Sequence, residues 1–256
     1  KKLGFAPANE DGHFDFTLCE FMRSHFALFA VAPVVLVNVL NPQEHTEQVT
    51  AESVTLVLGK AELAHPGALK SSVVVKGDGG TSTYEEGADY EITFSEKAGV
   101  ILNRLEAGDI GANDTLQVDY SYLDPSKVDS ADIIGGINSQ TFQAEGLELM
   151  GEIFPRFRLV PGMVLAPKFS TDPAVAAVMR AKSSNINGHF NAVSLCDIPT
   201  DEVIDYTNAA KWKNDNNIAS GQQIVCWPKV KLGAEQFHLS TQVAGVICQT
   251  DAANGN

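Results

Sequence analysis

Apolar and polar residues alternate along the stretch from Val49 to about Asp124, and this two-residue period constrains the fold more than any other feature of the chain. The apolar members of three such runs are Tyr90, Ile92 and Phe94; Val54, Leu56 and Leu58; and Leu116, Val118, Tyr120 and Tyr122. Segments at 77–80 and 86–89 contain glycine and aspartate between the runs, and such residues favour tight turns. The stretch predicts an all-β module of roughly six short strands.

Short apolar runs and helical patterns alternate on both sides of this stretch. Four runs have the continuous apolar character of a strand that is buried on both faces: 32–39, 162–168, 191–198 and 223–227. Helices are expected over 141–154, after the capping residues Asp172 and Thr200, and from Ser240 onward. This alternation predicts an α/β fold in which helices flank a mostly parallel sheet.

The two patterns divide the chain into three segments. Residues 1–47 are expected to begin the α/β core, with a helix and its first strand. Residues 48–125 are expected to form an inserted all-β domain of the barrel or sandwich type, and residues 126–256 the remainder of the core. Insertions of this kind are tolerated where the two ends of the inserted chain lie close together at a surface.

Charge and hydropathy limit the classes of partner. Eighteen Lys and Arg residues against 32 Asp and Glu residues give a net charge of −14, which opposes direct binding to nucleic acid or anionic lipid. The most apolar stretch, 26–40, is 15 residues long and contains Pro33 and Asn38, whereas a spanning helix needs about 20 residues. We therefore expect no membrane insertion. The four cysteines lie far apart without a CxxC pair, so we expect reduced thiols.

Motifs for catalysis or cofactor binding are missing from the sequence. It contains no GxSxG elbow, no GxxxxGK[ST] phosphate loop and no HExxH zinc motif. No two of its six histidines lie within five residues of each other, so no local metal site is encoded. The glycine-rich segment 77–80 has no helix after it and is interpreted as a turn. We predict no catalytic, cofactor-binding or metal-binding residues.

One composite catalytic site remains open as an alternative. Asp197 ends a predicted strand, and His238 and Ser240 precede a predicted helix, so the three could form a triad, which is recognised by geometry rather than by order. The structural interpretation is that Asp197 begins a turn and Ser240 caps the helix. Cys196 continues an apolar strand and is expected to be a buried core thiol rather than a nucleophile.

Three carboxylates, Glu145, Glu148 and Glu152, have the spacing of one helix face. Such a face is usually solvated. The alternative is a contact patch for a basic partner segment, which would offset the negative charge in a dense assembly.

A set of short segments, taken in order, resembles the tail sheath proteins of contractile bacteriophage tails and of prophage-derived tail-like particles. The segments are 87–92, 99–105, 115–122, 132–136, 164–167, 172–175, 197–199, 225–228 and 240–247. The first three are similar to the inserted β domain of that family, and the rest to its core, which is subtilisin-like in topology and has no triad. The resemblance implies terminal arms at both ends of the family's subunits, and we expect residues 1–256 without such arms to be a monomer or a weak oligomer.

The resemblance implies a structural role without a cofactor. Many subunits would polymerise helically around a tail tube and contract to drive the tube through a bacterial envelope. The implied partners are neighbouring sheath subunits, the tube protein, and baseplate and tail terminator proteins. The implied location is the virion tail, and the host cytoplasm during assembly.

Two other function classes stay open. The first is an α/β hydrolase or transferase with a composite active site. The second is an adhesin or carbohydrate-binding module that uses the β insert.

Overall fold

The computed structural model describes residues 8–95 and 99–255. These residues form two compact units, one of residues 40–127 and one that combines 8–39 with 128–255. The first seven residues of the predicted segment 1–47, and Asn256 at the end of the segment 126–256, lie outside the described residues. The insertion of an independent domain at 48–125 stays a prediction.

The first unit is built of antiparallel strands, and seven strands lie within its described residues. They are β1 (Thr46–Thr55), β2 (Lys60–Glu62), β3 (Val74–Gly77), β4 (Thr83–Tyr84), β5 (Tyr90–Phe94), β6 (Val100–Arg104) and β7 (Thr115–Leu123). One sheet has the order β1-β7-β3-β4 and the other the order β2-β6-β5. Short 3-10 turns cover Lys70–Ser72 and Pro125–Lys127.

Alternation of side chains builds the core of this unit as predicted for most positions. Val75, Val118 and Tyr120 are fully buried, because successive strand residues point to opposite faces and these share the inner face. Leu58 and Phe94, which we predicted on the same faces, are exposed instead. For Leu58 the reason is that β1 ends at Thr55 and Leu58 lies in the turn before β2.

The second unit contains short helices and one parallel sheet. Its helices are α1 (Thr17–Met22), α2 (Ser130–Ile134), α3 (Ile153–Phe157), α4 (Pro173–Lys182), α5 (Tyr206–Asp215) and α6 (Leu239–Asn254). Its strands are β8 (Gly136–Ile137), β9 (Ala144–Glu145), β10 (Met163–Leu165), β11 (Val193–Asp197), β12 (Gln223–Cys226), β13 (Val230–Leu232) and β14 (Glu235–Phe237). A π-helical turn covers Arg23–Leu28, and 3-10 turns cover Gly146–Glu152 and Phe169–Thr171.

The parallel sheet has the order β10-β11-β12. These strands confirm three of the four predicted apolar strands, and α4 and α5 connect them. Leu195 on the central strand is fully buried, as are Val175 and Met179 on α4. The described antiparallel pairs of this unit, β8 with β9 and β13 with β14, are short. The subtilisin-like topology of the whole core stays a prediction.

The predicted strand at 32–39 is wrong, because the segment forms no ladder and is only partly buried. Two features at its start oppose pairing: Ala30 has a φ of 54°, and Pro33 has no N–H to donate to a ladder. Val35 still packs against the core of the second unit.

The predicted helix over 141–154 is also wrong. Phe142 has a φ of 56° and lies in the loop between β8 and β9, and Gly146 has a φ of 58°. A helix cannot continue through these positions, so it begins only at Ile153. Of the three glutamates predicted on one helix face, Glu145 therefore lies in β9, and Glu148 and Glu152 lie in the 3-10 turn. Glu148 pairs with Lys182, and Glu152 pairs with Arg156.

Helix starts were predicted correctly at one site and wrongly at another. The Asp172 carboxylate accepts a hydrogen bond from the Ala174 N–H at 2.8 Å and caps α4. Thr200 caps no helix, because α5 begins at Tyr206 and is capped by Asp205 through the Thr207 N–H, also at 2.8 Å.

None of the four cysteines forms a disulfide, as predicted, and Cys19, Cys196 and Cys226 are buried. None of the described helices is long and apolar enough to span a membrane.

We expect residues 46–126 to fold as an isolated fragment, because both sheets of the first unit and the core between them lie within this range. Urea unfolding followed by circular dichroism should show one cooperative transition of about 3–5 kcal/mol. Val118→Ala should lower the free energy of unfolding by roughly 2 kcal/mol because it removes fully buried methyl groups. Glu91→Gln, at an exposed position of β5, should leave it unchanged. A fragment without a cooperative transition would contradict the predicted boundaries.

Candidate functional site

Buried polar side chains meet at the carboxyl end of β11, beside the start of α6. Asp197 is the last residue of β11, and only 4% of its surface is exposed. In open α/β sheets this edge is where ligands and catalytic groups are found. The cluster is therefore the candidate site of the second unit.

The Asp197 carboxylate caps α6. The Ser240 N–H donates to Oδ1 at 3.0 Å, and the Ser240 hydroxyl donates to Oδ2 at 2.5 Å. His238, the residue that precedes α6, provides no side-chain cap. A helix begins with unpaired N–H groups and the positive end of its dipole. The Asp197 carboxylate, which belongs to β11, therefore accepts from one of these N–H groups and places a negative group at this end of α6.

A second carboxylate reaches the same helix end from α1. Glu20 is 2% exposed, and its Oε1 accepts from the His238 N–H at 2.7 Å and from the Thr241 hydroxyl at 3.3 Å. Its Oε2 lies 2.8 Å from His238 Nδ1. Since a carboxylate only accepts, His238 donates from Nδ1. The start of α6 is thus held by two buried acids from two other elements.

Ser170 extends the network below β11. Its hydroxyl accepts from the Asp197 N–H at 3.1 Å and lies 3.4 Å from Asp197 Oδ2. Ser170 and Ser240 are both fully buried. The carboxylate therefore has hydroxyl and amide donors around it, as a buried carboxylate needs.

Burial is the main cause that raises the pKa of Asp197 above its ordinary value. The hydrogen bonds from Ser240 and the nearby His238 oppose this shift, and Glu20 adds to it. Burial also raises the pKa of the Cys196 thiol to about 12, with the Asp197 charge as the second cause. A thiol with this pKa stays protonated at neutral pH and is a poor nucleophile, which agrees with the core role predicted for Cys196.

The structure brings the three triad candidates together, but in a different arrangement from a catalytic triad. In a triad, histidine lies between the serine and the acid and accepts the serine proton. Here the Ser240 hydroxyl donates directly to Asp197, and the His238 ring donates to Glu20. The predicted capping role of Ser240 is also wrong: Ser240 is inside α6 and is itself the donor to the capping acid. These bonds join β11, α1 and α6, and the His238 ring does not accept the Ser240 proton as a catalytic base would.

Glu20, Ser170 and Thr241 were not identified from the sequence. The signal available for Glu20 is that it is a single acid within the apolar segment 16–22. Its partners are 218 and 221 residues away in the chain, so no local spacing indicates them.

The chain is similar to known proteins over most of its length. It is 28% identical over 234 residues to a protein named "Tail sheath protein" from Burkholderia phage BcepMu, and the alignment covers 87% of this chain and 47% of the relative. The chain thus spans about half the length of that relative. A family model described as "Protein of unknown function UCP028589" matches residues 10–131. No solved structure matches the chain.

The direction in which folding shifts the pKa of Asp197 gives a test of the role of this residue. A carboxyl group whose pKa is raised by folding stabilises the fold most below its unfolded pKa of about 3.9, and that stabilisation is lost as the pH rises through the folded value. Asp197→Asn keeps an acceptor for the Ser240 N–H without a buried charge. The free energy of unfolding of the wild type, measured relative to Asp197→Asn, should therefore rise as the pH falls from 8 towards 4.

Asp205 provides a matched control, because its pKa shifts in the opposite direction. Hydrogen bonds from the Thr207 N–H and hydroxyl lower the pKa of this exposed capping residue. Its stabilisation is present above the unfolded pKa and is lost as the pH falls through the folded value. The difference between wild type and Asp205→Asn should thus shrink in acid. Parallel pH profiles for the two pairs in urea unfolding would contradict the account of Asp197.

Proposed function

We propose that this chain is part of a structural subunit of a contractile phage-type tail sheath. The observation that carries the proposal is the similarity to the BcepMu Tail sheath protein over 87% of the chain. Such a subunit polymerises helically around a tail tube and contracts to drive the tube through the bacterial envelope. Its fold would be the subtilisin-like core with an inserted β domain.

A sheath subunit does its work by changing how it packs against its neighbours. Contraction is then driven by the difference in free energy between two alternative packings of the same folded subunits. This requires a core that moves as a body. The bonds from Asp197 and Glu20 to the start of α6 support this requirement, because they join β11, α1 and α6 through buried groups. They also support a role that is not enzymatic, because the acids and hydroxyls of the cluster bond to one another.

The proposed partners are neighbouring sheath subunits, the tail tube protein, and baseplate and tail terminator proteins. The proposed location is the virion tail or a tail-like particle, with assembly in the host cytoplasm. The net charge of −14 supports the absence of direct contact with nucleic acid.

Two exposed apolar side chains are candidates for contacts within the polymer. Leu58 in the first unit is 87% exposed, and Phe142 in the second is 81% exposed. Both have left-handed backbone, with φ of 53° and 56°. This conformation costs a bulky residue roughly 1–2 kcal/mol, and asparagine adopts it more readily. An apolar residue at such a position improves neither the fold nor the solubility of the subunit, which favours a role in contact with another protein.

The test is assembly of the complete protein that contains this chain, expressed with the tail tube protein of the same phage and viewed by electron microscopy. The wild type should form helical tubes. Leu58→Asn and Phe142→Asn should keep or raise the melting temperature, because they relieve backbone strain, and should reduce the number and length of tubes. Asp78→Asn, at another exposed turn, is the control and should assemble as the wild type does.

Two results would overturn the proposal. One is a folded complete protein that forms no tubes with its tube protein. The other is turnover of ester, peptide or phosphate substrates that Asp197→Asn or His238→Gln abolishes, which would support the hydrolase or transferase alternative.

A further inference from the structure

The π-helical turn Arg23–Leu28 is an unusual element in the second unit. Helices of this type are rare and occur often at functional positions. The turn continues directly from α1 and is followed by Ala30, which has a φ of 54°. Beyond it the chain is extended and without a ladder up to Leu40. The turn is therefore the joint between a packed helix and an apolar segment that belongs to none of the described strand ladders.

His25 lies in the middle of this turn and is 2% exposed. Its ring stacks on Phe21, with 3.8 Å between the ring centroids and an interplanar angle of 15°. Its Nδ1 is buried and has no hydrogen-bond partner among the described residues. A buried polar atom without a partner lowers stability, so the stack on Phe21 holds a ring whose Nδ1 is unsatisfied.

Among the described elements, α1 and α6 pack most closely against the turn. The Ser24 hydroxyl makes two hydrogen bonds to α6. It donates to the Thr241 carbonyl oxygen at 3.4 Å and accepts from Gln242 Nε2 at 3.1 Å. The titratable and charged groups on the turn and these two helices are Cys19, Glu20, Arg23, His238, Cys248 and Asp251.

Two of these groups are the nearest charges in sequence to His25, and both bond elsewhere. Glu20 accepts from His238 and Thr241, and Arg23 donates to Glu235 at 3.0 Å. The described surroundings of the imidazole therefore include the stacked Phe21 ring, while these two charged groups are paired with other residues. A charged imidazole would lose its solvation there.

The electrostatics agree with this geometry. Burial is the main cause that lowers the pKa of His25, and the backbone of Phe21 opposes the shift. For a base with a pKa lowered by folding, the packed state is fully favoured above the unfolded pKa of about 6.5 and loses stability as the pH falls below it. Each pH unit in that range favours the open state by up to about tenfold.

We propose that the turn Arg23–Leu28 is an acid-sensitive joint, in which protonation of the buried His25 ring places a poorly solvated charge inside the packed turn and opens it. Opening requires the Ser24 contacts with α6 to break, and it frees the extended segment that follows. The caps of α6 by Asp197 and Glu20 lie outside the turn and remain. The proposed opening is thus local, and the rest of the second unit stays folded.

The test is native-state hydrogen exchange by mass spectrometry at pH 7.5, 6.5 and 5.0, corrected for the intrinsic pH dependence of exchange. In the wild type, the opening equilibrium of peptides that cover 17–31 should rise by up to about 30-fold between pH 6.5 and 5.0, while peptides from β11 stay protected. His25→Phe keeps an aromatic ring and cannot be protonated, so its profile should be flat. His25→Gln should also be flat, and it tests the proposal if the Phe variant does not fold. His189→Gln, at an exposed position, should behave as the wild type.

Three outcomes would overturn the proposal. The first is a wild-type profile for 17–31 without pH dependence. The second is the same dependence in His25→Phe or His25→Gln as in the wild type. The third is an equal loss of protection in 17–31 and in β11, which would mean global unfolding and no local joint.

Discussion

The start of α6 needs partners for its free N–H groups, and its neighbours in sequence do not supply them. The partners are two carboxylates from distant parts of the chain, Asp197 from the end of β11 and Glu20 from α1. Each acid is buried, and a buried acid is tolerated only when donors surround it. The helix dipole and the donors of Ser240, His238 and Thr241 meet that condition. The second unit depends on this junction, because it connects the N-terminal helix, the central strand and the C-terminal helix.

The same junction fills a position that binds ligands in many α/β enzymes. In many open α/β sheets, a helix start beside the carboxyl ends of the strands binds an anionic ligand. In this chain the side chains of Asp197 and Glu20 occupy the place of that anion. Their donors are Ser240 and His238, the residues that a triad would need as nucleophile and base. The Ser240 proton is directed to Asp197 and not to the His238 ring, and this agrees with the structural role that we propose.

The sequence predicts those parts of the fold that local pattern determines. The two-residue alternation identifies the β unit, and continuous apolar runs identify β10, β11 and β12, because burial on one or both faces of a strand is visible in consecutive residues. It fails where single residues override the pattern: Pro33 in the apolar run at 32–39, and the left-handed Phe142 and Gly146 in the expected helix. At the site, the sequence identifies Asp197, His238 and Ser240 but not Glu20, since pairs more than 200 residues apart leave no local period. The direction of the bonds, serine to acid and histidine to a second acid, is a property of the packed structure alone.

The central claim is that the Asp197 carboxylate stabilises the fold through the start of α6. A double-mutant cycle with Asp197→Ala, Ser240→Ala and the combined variant, measured by urea unfolding at pH 7, tests this most directly. Because the serine provides a buried hydrogen bond to a charged acceptor, the account predicts a coupling energy of about 1.5–3 kcal/mol. Additive effects of the two substitutions, with a coupling energy below about 0.5 kcal/mol, would contradict it.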